Sequence, residues 1–390
     1  MSLTRRDFGI GMCSCAALSL LGCAAAPPAR DTGPVTPGYR PAGESDELGL
    51  WATMDRAERE LADSRFLIRD PALAEYLRTI ACRLAPEHCG DLRQYVVRTP
   101  LFNASMAPNG MTQVWSGLLL RCLDEAQLAA VIGHEMGHYL QRHTLQRFRD
   151  LRDKANFSAF LGLGLAAGGV GLLSTVSDLA LLASIFAFSR EQEREADAVG
   201  LELMSGAGYA PIAAAEVWEQ LIEEMAHSTA ERDRGVFFAT HPAPEERVDT
   251  LRNLARDRRG DTGMRGRERH REGLRQVRSL LLDDELALRQ YGRSEALFAR
   301  LLDRDHDDGY LWFAKGEVHR LRGEEGDDAL ARAAYARAAR AREAPPELHR
   351  SRGLVALRAG DDAAAREAFE AYLRLVPDAG DRAMIRSLMP

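Results

Sequence analysis

The stretch Val131-Ile132-Gly133-His134-Glu135-Met136-Gly137-His138 limits what this chain can be more than any other. It is an H-E-x-x-H pattern inside a segment that reads as helix on independent grounds. Asp124 fits an N-cap with Gln127 three residues on, and Leu128, Val131 and Ile132 recur at helical spacing. A helix of roughly 20 residues is expected from Glu125. His134 and His138 then stand four residues apart, so both imidazoles leave one face and can share one Zn2+ per chain. Glu135 is placed beside them as the general base toward an attacking water.

A third ligand is sought in Ser189-Arg190-Glu191-Gln192-Glu193-Arg194-Glu195-Ala196-Asp197, where three glutamates compete. Glu193 and Asp197 are one helical turn apart and share a face, whereas Glu195 points well away from it. Glu193 is therefore the expected third zinc ligand, with Asp197 orienting a ligand histidine. Ala196 and Gly200 would let this helix approach the motif helix closely.

Upstream, a hairpin is signalled by Pro108-Asn109-Gly110 between Leu101–Ser105 and Met111–Trp115, with another strand at Gln94–Arg98. A strand passing the cleft of a protease can pair main chain to main chain with an extended peptide. Asn103, Ala104 and Ser105 are assigned that substrate-binding role, with an ordinary edge hairpin as the alternative. Two helices precede it, one through Trp51, Met54, Ala57 and Leu61, the other opening at Asp70-Pro71.

The N-terminus reads as an address. Thr4-Arg5-Arg6-Asp7-Phe8 resembles a twin-arginine export signal, and the apolar run to Leu21 has the length of a signal core. Leu20-Leu21-Gly22-Cys23 resembles a lipobox, which makes Cys23 the lipidation site; a plain cleavable signal is the alternative. Ala24 behind it favours the outer membrane, so the expected place is its periplasmic side, or else the soluble periplasm. In that oxidising compartment Cys82 and Cys89 form a reasonable disulfide, leaving Cys122 as a buried thiol. The uncharged stretch from Phe157 to Ser177, broken by Asp178 before Leu179–Phe188, is expected to form an apolar lid, with membrane insertion as the alternative. A net charge of −7 gives no electrostatic footprint for nucleic acid.

Near the C-terminus Gly326-Asp327-Asp328-Ala329 is repeated as Gly360-Asp361-Asp362-Ala363, an offset of 34 residues, the tetratricopeptide period. Stacked helix pairs would offer a concave surface to a protein partner.

Taken together, His134-Glu135-Met136-Gly137-His138, Ser189-Arg190, Glu193-Arg194-Glu195-Ala196-Asp197, Asn103-Ala104 and Thr240-His241-Pro242 with Arg247 resemble the gluzincin zinc metallopeptidases of the HtpX and BepA kind. The resemblance covers roughly Glu47 to Leu254. It implies a zinc metalloendopeptidase with His134, His138 and Glu193 on the metal and Glu135 as base. In such proteins the position of His241 lies on a loop near the zinc, so His241 would cap the metal at rest or, with Arg247 as the other candidate, stabilise the oxyanion.

The expected fold class is mostly α with a small antiparallel β-hairpin or sheet. The expected layout is a signal peptide (1–22), a tether (23–45), a zinc metallopeptidase domain (46–255), an Arg/Gly-rich solvated linker (256–276) and a TPR-like helical repeat domain (277–390). The expected function is degradation of misfolded or stalled envelope proteins by zinc-activated water attack. A holdase or scaffold with a latched protease, and a membrane-inserted protease, are the rivals.

Overall fold

The computed structural model describes residues 33–43, 45–153, 188–227, 241, 244–258 and 262–389. The export signal, the lipidation residue Cys23, most of the tether and nearly all of the expected lid at 157–188 lie outside the described residues. Among those described, no helix is long and apolar enough to cross a membrane.

Helix α1 (Asp46–Asp63) is capped by Ser45, whose side chain accepts from the Leu48 N–H. In α2 (Pro71–Leu84) the Asp70 carboxylate accepts from Leu73 and Pro71 needs no partner for a missing N–H. Strands β1 (Arg93–Val97), β2 (Ala104–Met106) and β3 (Met111–Trp115) follow. Their order in the sheet is β1-β3-β2, with β2 antiparallel and β1 parallel to β3. The expected hairpin is there, turned at Gly110 with a positive φ of 85°, but the sheet is mixed rather than purely antiparallel. The segment between β1 and β2 carries the chain back so that β1 meets β3 in the same direction.

After the short α3 (Ser116–Arg121) comes the motif helix α4 (Glu125–Leu140), all but its last residue buried. The Asp124 carboxylate accepts from Gln127 N–H at 3.0 Å, while Gln127 Oε1 accepts from Leu123 N–H at 2.8 Å. Helix α4 is shorter than the roughly 20 residues its pattern predicts. It stops because Arg142 takes a left-handed φ of 56°, after which α5 (His143–Asp153) starts in a new direction. Tertiary contacts hold this conformation: Arg142 is buried, donates to both Glu47 oxygens at 2.9 and 3.1 Å, and lies over the Tyr39 ring at 4.1 Å.

Helix α6 (Arg190–Gly206) opens with a full capping box between Ser189 and Gln192. It is followed by α7 (Ala213–Ala226), α8 (Pro244–Asp257) and α9 (Arg267–Leu274). Helix α9 lies inside the segment expected to be a solvated linker. That expectation is corrected here: His270 and Leu274 are buried, Tyr76 Oη meets His270 Nδ1 at 3.0 Å, and Met264 N–H donates to Gly208 O at 2.8 Å. The exposed arginines on one side of this segment mask the few residues that anchor the other.

The remainder is helical: α10 (Arg278–Ala287), α11 (Tyr291–Arg304), α12 (Gly309–Arg322), α13 (Asp327–Ala338), α14 (Glu347–Arg358), α15 (Asp362–Leu375) and α16 (Arg382–Leu388). The α12–α13 and α14–α15 pairs pack alike. A Cβ at Gly316 would meet the Tyr335 ring at 2.3 Å, and one at Gly353 would meet the Phe369 ring at 2.4 Å, so each glycine makes room for an aromatic side chain. There is no break in the core at the expected domain boundary. One apolar cluster runs from Leu73 and Ile132 to Leu282, Phe298 and Val318.

Polar groups join the two halves as well. Arg121 of α3 is fully enclosed between Glu224 of α7, at 2.7 Å, and Glu285 of α10, at 2.9 Å. Arg300 and Arg293 reach Glu224 at 2.8 and 3.3 Å, and Ser294 donates to Glu285 at 3.0 Å.

Candidate metal centre

Helices α4 and α6 touch backbone to backbone. A Cβ on Gly137 would lie 2.7 Å from the Ala196 carbonyl oxygen, and one on Gly200 would lie 2.7 Å from the His134 nitrogen. This approach puts Glu193 of α6 opposite His134 and His138 of α4, as the shared face of Glu193 and Asp197 requires. His241 enters from its loop as a fourth donor. The His134, His138, Glu193 and His241 donor atoms all lie within 4.8 Å of one another and all four residues are buried.

The separations are those of a metal-binding set. His134 Nε2 is 3.1 Å from His138 Nε2, 3.3 Å from His241 Nδ1 and 3.4 Å from a Glu193 oxygen. His138 Nε2 is 3.6 Å, and His241 Nδ1 3.0 Å, from the other Glu193 oxygen. Zinc–nitrogen bonds of 2.0–2.1 Å in a tetrahedron would put neighbouring donors about 3.3 Å apart. Charge gives a second test. Among the buried groups described, the carboxylates of Glu135, Glu193 and Asp197 face one guanidinium, that of Arg247, which leaves two negative charges for a divalent cation to balance. Glu135 Oε1 is also buried without a hydrogen bond. The residues fit zinc.

Titration behaviour reflects the same field. Burial would raise the Glu193 carboxyl, but His241 and His134 hold it far below the usual range. Burial and Arg247 pull His134 down, yet its bonds to Asp197 and Glu193 push it up to about 9. Burial raises the Glu135 carboxyl above its ordinary value.

Behind the donors, His134 Nδ1 meets Asp197 Oδ1 at 2.9 Å. Arg247 grips Asp197 with Nε and Nη2 at 2.9 and 2.6 Å, reaches Glu193 at 3.2 Å and lies 4.0 Å over the Trp218 ring. Arg247, expected as an oxyanion candidate, is thus sandwiched at the back of the donor set. Two residues escaped notice in the sequence. The ring of Phe188 stacks on His138 at 3.8 Å, and His143 Nδ1 lies 2.8 Å from His138 Nδ1. His143 carried a signal, a further histidine five residues beyond His138, but continuous-helix geometry would turn it about 140° away.

The strand expected to hold substrate packs against the motif helix. Within the described residues β2 has a neighbour on one side only. Trp115 N–H donates to Asn103 O at 3.0 Å and Ala107 N–H to Met111 O at 2.8 Å. By the alternation of an antiparallel ladder, the main-chain groups of Ala104 and Met106 face the open edge. Asn103 and Ala104 are buried, Ser105 is half-buried, and Asn103 Oδ1 has no hydrogen bond. Away from the site Cys82 and Cys89 are joined in a disulfide, and Cys122 is a buried free thiol.

Residues 69–255 match the model of peptidase family M48. The beta-barrel assembly-enhancing protease of Escherichia coli (strain K12) is 28% identical over 229 residues, which is 56% of this chain and 46% of that protein. The mitochondrial metalloendopeptidase OMA1 of Schizosaccharomyces pombe is 34% identical over 158 residues, 40% of this chain and 44% of its own length. A putative beta-barrel assembly-enhancing protease of Vibrio cholerae is 28% identical over 212 residues, 52% and 43% of the two chains. Each match spans less than half of the relative's length. The family match, covering both histidines, both helices and the fourth donor, agrees with the donor set found independently from geometry, and over residues 69–255 this chain is similar to peptidase family M48, which supports a zinc metallopeptidase.

Proposed function

We propose that the chain is an exported zinc endopeptidase of the bacterial envelope that cleaves extended segments of misfolded or misassembled proteins. The observation that carries this reading is the convergence of three histidines and Glu193 beside Glu135, whose Oε1 is buried without a hydrogen bond. Zinc held by His134, His138 and Glu193 would supply Lewis acidity, acidifying a water and polarising a carbonyl. Glu135 takes the proton of the attacking water and passes it to the nitrogen of the departing amine as the peptide bond breaks. Its burial, which raises its pKa, suits it to holding that proton between the two steps. Asp197 and Arg247 keep His134 in the tautomer that turns Nε2 toward the donor set.

The open edge of β2 supports a substrate held main chain to main chain, which selects for extended polypeptide over particular side chains. His241 Nδ1 sits among the donors and its Nε2 is 3.7 Å from Glu135, which supports a resting state in which His241 caps the metal and must withdraw for turnover. That placement also favours the second reading, a holdase or scaffold whose protease is latched. Export rests on the twin-arginine pattern, anchoring on the lipobox at Cys23, and a protein partner on the paired helices of the C-terminal part. The named role of the Escherichia coli relative, enhancing β-barrel assembly, makes envelope proteins the substrate class to try first.

The test is metal analysis and cleavage of an unfolded protein by the wild type and Glu135→Gln. One zinc per chain in both, with cleavage slower by about 10²–10⁴-fold in the variant, is expected. Wild type without zinc, or equal cleavage by the two, would refute the proposal.

A further inference from the structure

Among the described residues His138 has no carboxylate against its Nδ1, unlike His134. Its outer nitrogen meets His143 Nδ1 at 2.8 Å, and His143 Nε2 in turn meets Glu195 Oε2 at 3.2 Å. His143 is completely buried, whereas the Glu195 side chain is about half exposed, at 51%. We propose that His143 and Glu195 are positioning residues for the metal: a two-step relay that fixes the tautomer and orientation of His138. This inference rests on the zinc-binding reading of the donor set.

The hydrogen-bond directions follow from one requirement. His138 Nε2 faces the donor atoms and must present its lone pair there, so the ring proton sits on Nδ1. That proton is donated to His143, whose Nδ1 must therefore be the bare nitrogen. His143 then carries its own proton on Nε2 and donates it to the Glu195 carboxylate. Each of the three groups has one role, and reversing any of them would place two protons or two lone pairs face to face. The carboxylate at the far end draws the proton outward along the chain, which strengthens His138 as a donor, as a direct carboxylate does for His134.

The topology explains why two carboxylates of one helix can serve both histidines. Asp197 and Glu195 are two residues apart on α6 and so point to nearly opposite sides. Asp197 reaches His134 directly across the α4–α6 contact. Glu195, turned away from the metal, cannot reach His138 itself. The left-handed Arg142 folds α5 back over the end of α4 and sets the His143 ring in the gap, with ring centroids 5.0 Å apart from His138. The break in the helix thus has a use: it supplies the imidazole that spans the distance.

The experiment is zinc affinity by chelator competition, with thermal stability of each zinc-free variant followed separately. His143→Ala should weaken zinc binding by about 10–100-fold. His143→Gln, whose amide oxygen can accept from His138 Nδ1, should recover part of the loss. Glu195→Gln changes a half-exposed group, leaves the core intact, and should weaken zinc several-fold with unchanged zinc-free stability. Glu195→Gln binding zinc as tightly as wild type, or His143→Gln no better than a folded His143→Ala, overturns the relay. A wild type that binds no zinc instead overturns the metal reading on which it stands.

Discussion

The cluster around Arg121 and the cluster around His134 are equally hidden from solvent, yet only the first balances itself. Between α3, α7, α10 and α11, the fully buried charges pair off two against two, the guanidiniums of Arg121 and Arg293 against the carboxylates of Glu224 and Glu285, with the partly exposed Arg300 added at the edge, and every close contact joins opposite charges. Around His134, nitrogen and oxygen donors crowd to within 3.0–3.6 Å of each other and an excess of carboxylate is left over. A buried cluster whose charges its own members pair serves as structure, and one whose donors and charges call for a cation marks a site. The same core holds both, so burial alone would not have told them apart.

This contrast can be broken by experiment. Arg121→Ala takes the guanidinium from the buried Glu285 and one of three from Glu224 and should cost about 3–5 kcal/mol of stability, read by urea unfolding, while zinc affinity stays at the wild-type value. A weakened zinc site in that variant would mean the two clusters are one system. Removing zinc should act the other way. At free zinc a hundredfold above Kd, chelation should lower stability by about 2.7 kcal/mol, and should do so equally in wild type and Arg121→Ala.

The smallest expected effect is in acid. Burial would raise the Glu224 carboxyl, but Arg121, Arg293 and Arg300 hold it below its ordinary value. A carboxyl depressed in the folded state adds stability that is present above the unfolded pKa of about 4.3 and is lost as pH falls below it. Histidine ligands must be unprotonated to bind, and the field of the site favours the proton on His134, so acid should expel zinc before it reaches the carboxyl range. Zinc release followed with a metal dye and unfolding followed by circular dichroism should give two separate transitions. A single coincident one would erase the distinction.

How much of this could be read from the chain depends on how local the cause is. The spacing of His134, His138, Glu193 and Asp197 is a property of helices, so their shared faces follow from residue numbers alone, as do the caps at Asp70, Asp124 and Ser189. The break after Leu140 is different. Nothing near Arg142 favours a left-handed residue; Glu47 and Tyr39, 95 and 103 positions away, hold it there. The contact of His143 with His138 and Glu195 was invisible for that reason. The parallel pairing of β1 with β3 is likewise set by how the intervening chain travels, and arginine-rich composition hid the buried His270. Helical pairing at the C-terminus was legible because the turn between paired helices recurs, with Gly326 and Gly360 both at positive φ just before the second helix of a pair.

The bare contact of α4 with α6 also governs how this molecule can change over time. Where helices are held apart by side chains, substitutions elsewhere in the core shift the spacing a little, and ligands drift with it. Here the spacing is limited by peptide planes meeting at Gly133, Gly137 and Gly200, which do not compress. Much of the surrounding apolar core can therefore drift in sequence without detuning the donor set. Gly137 and Gly200 cannot accept even a methyl group, and one at Gly133 would press on the Gly200 carbonyl at 3.1 Å. The tolerance of the whole domain is concentrated, and its intolerance is too.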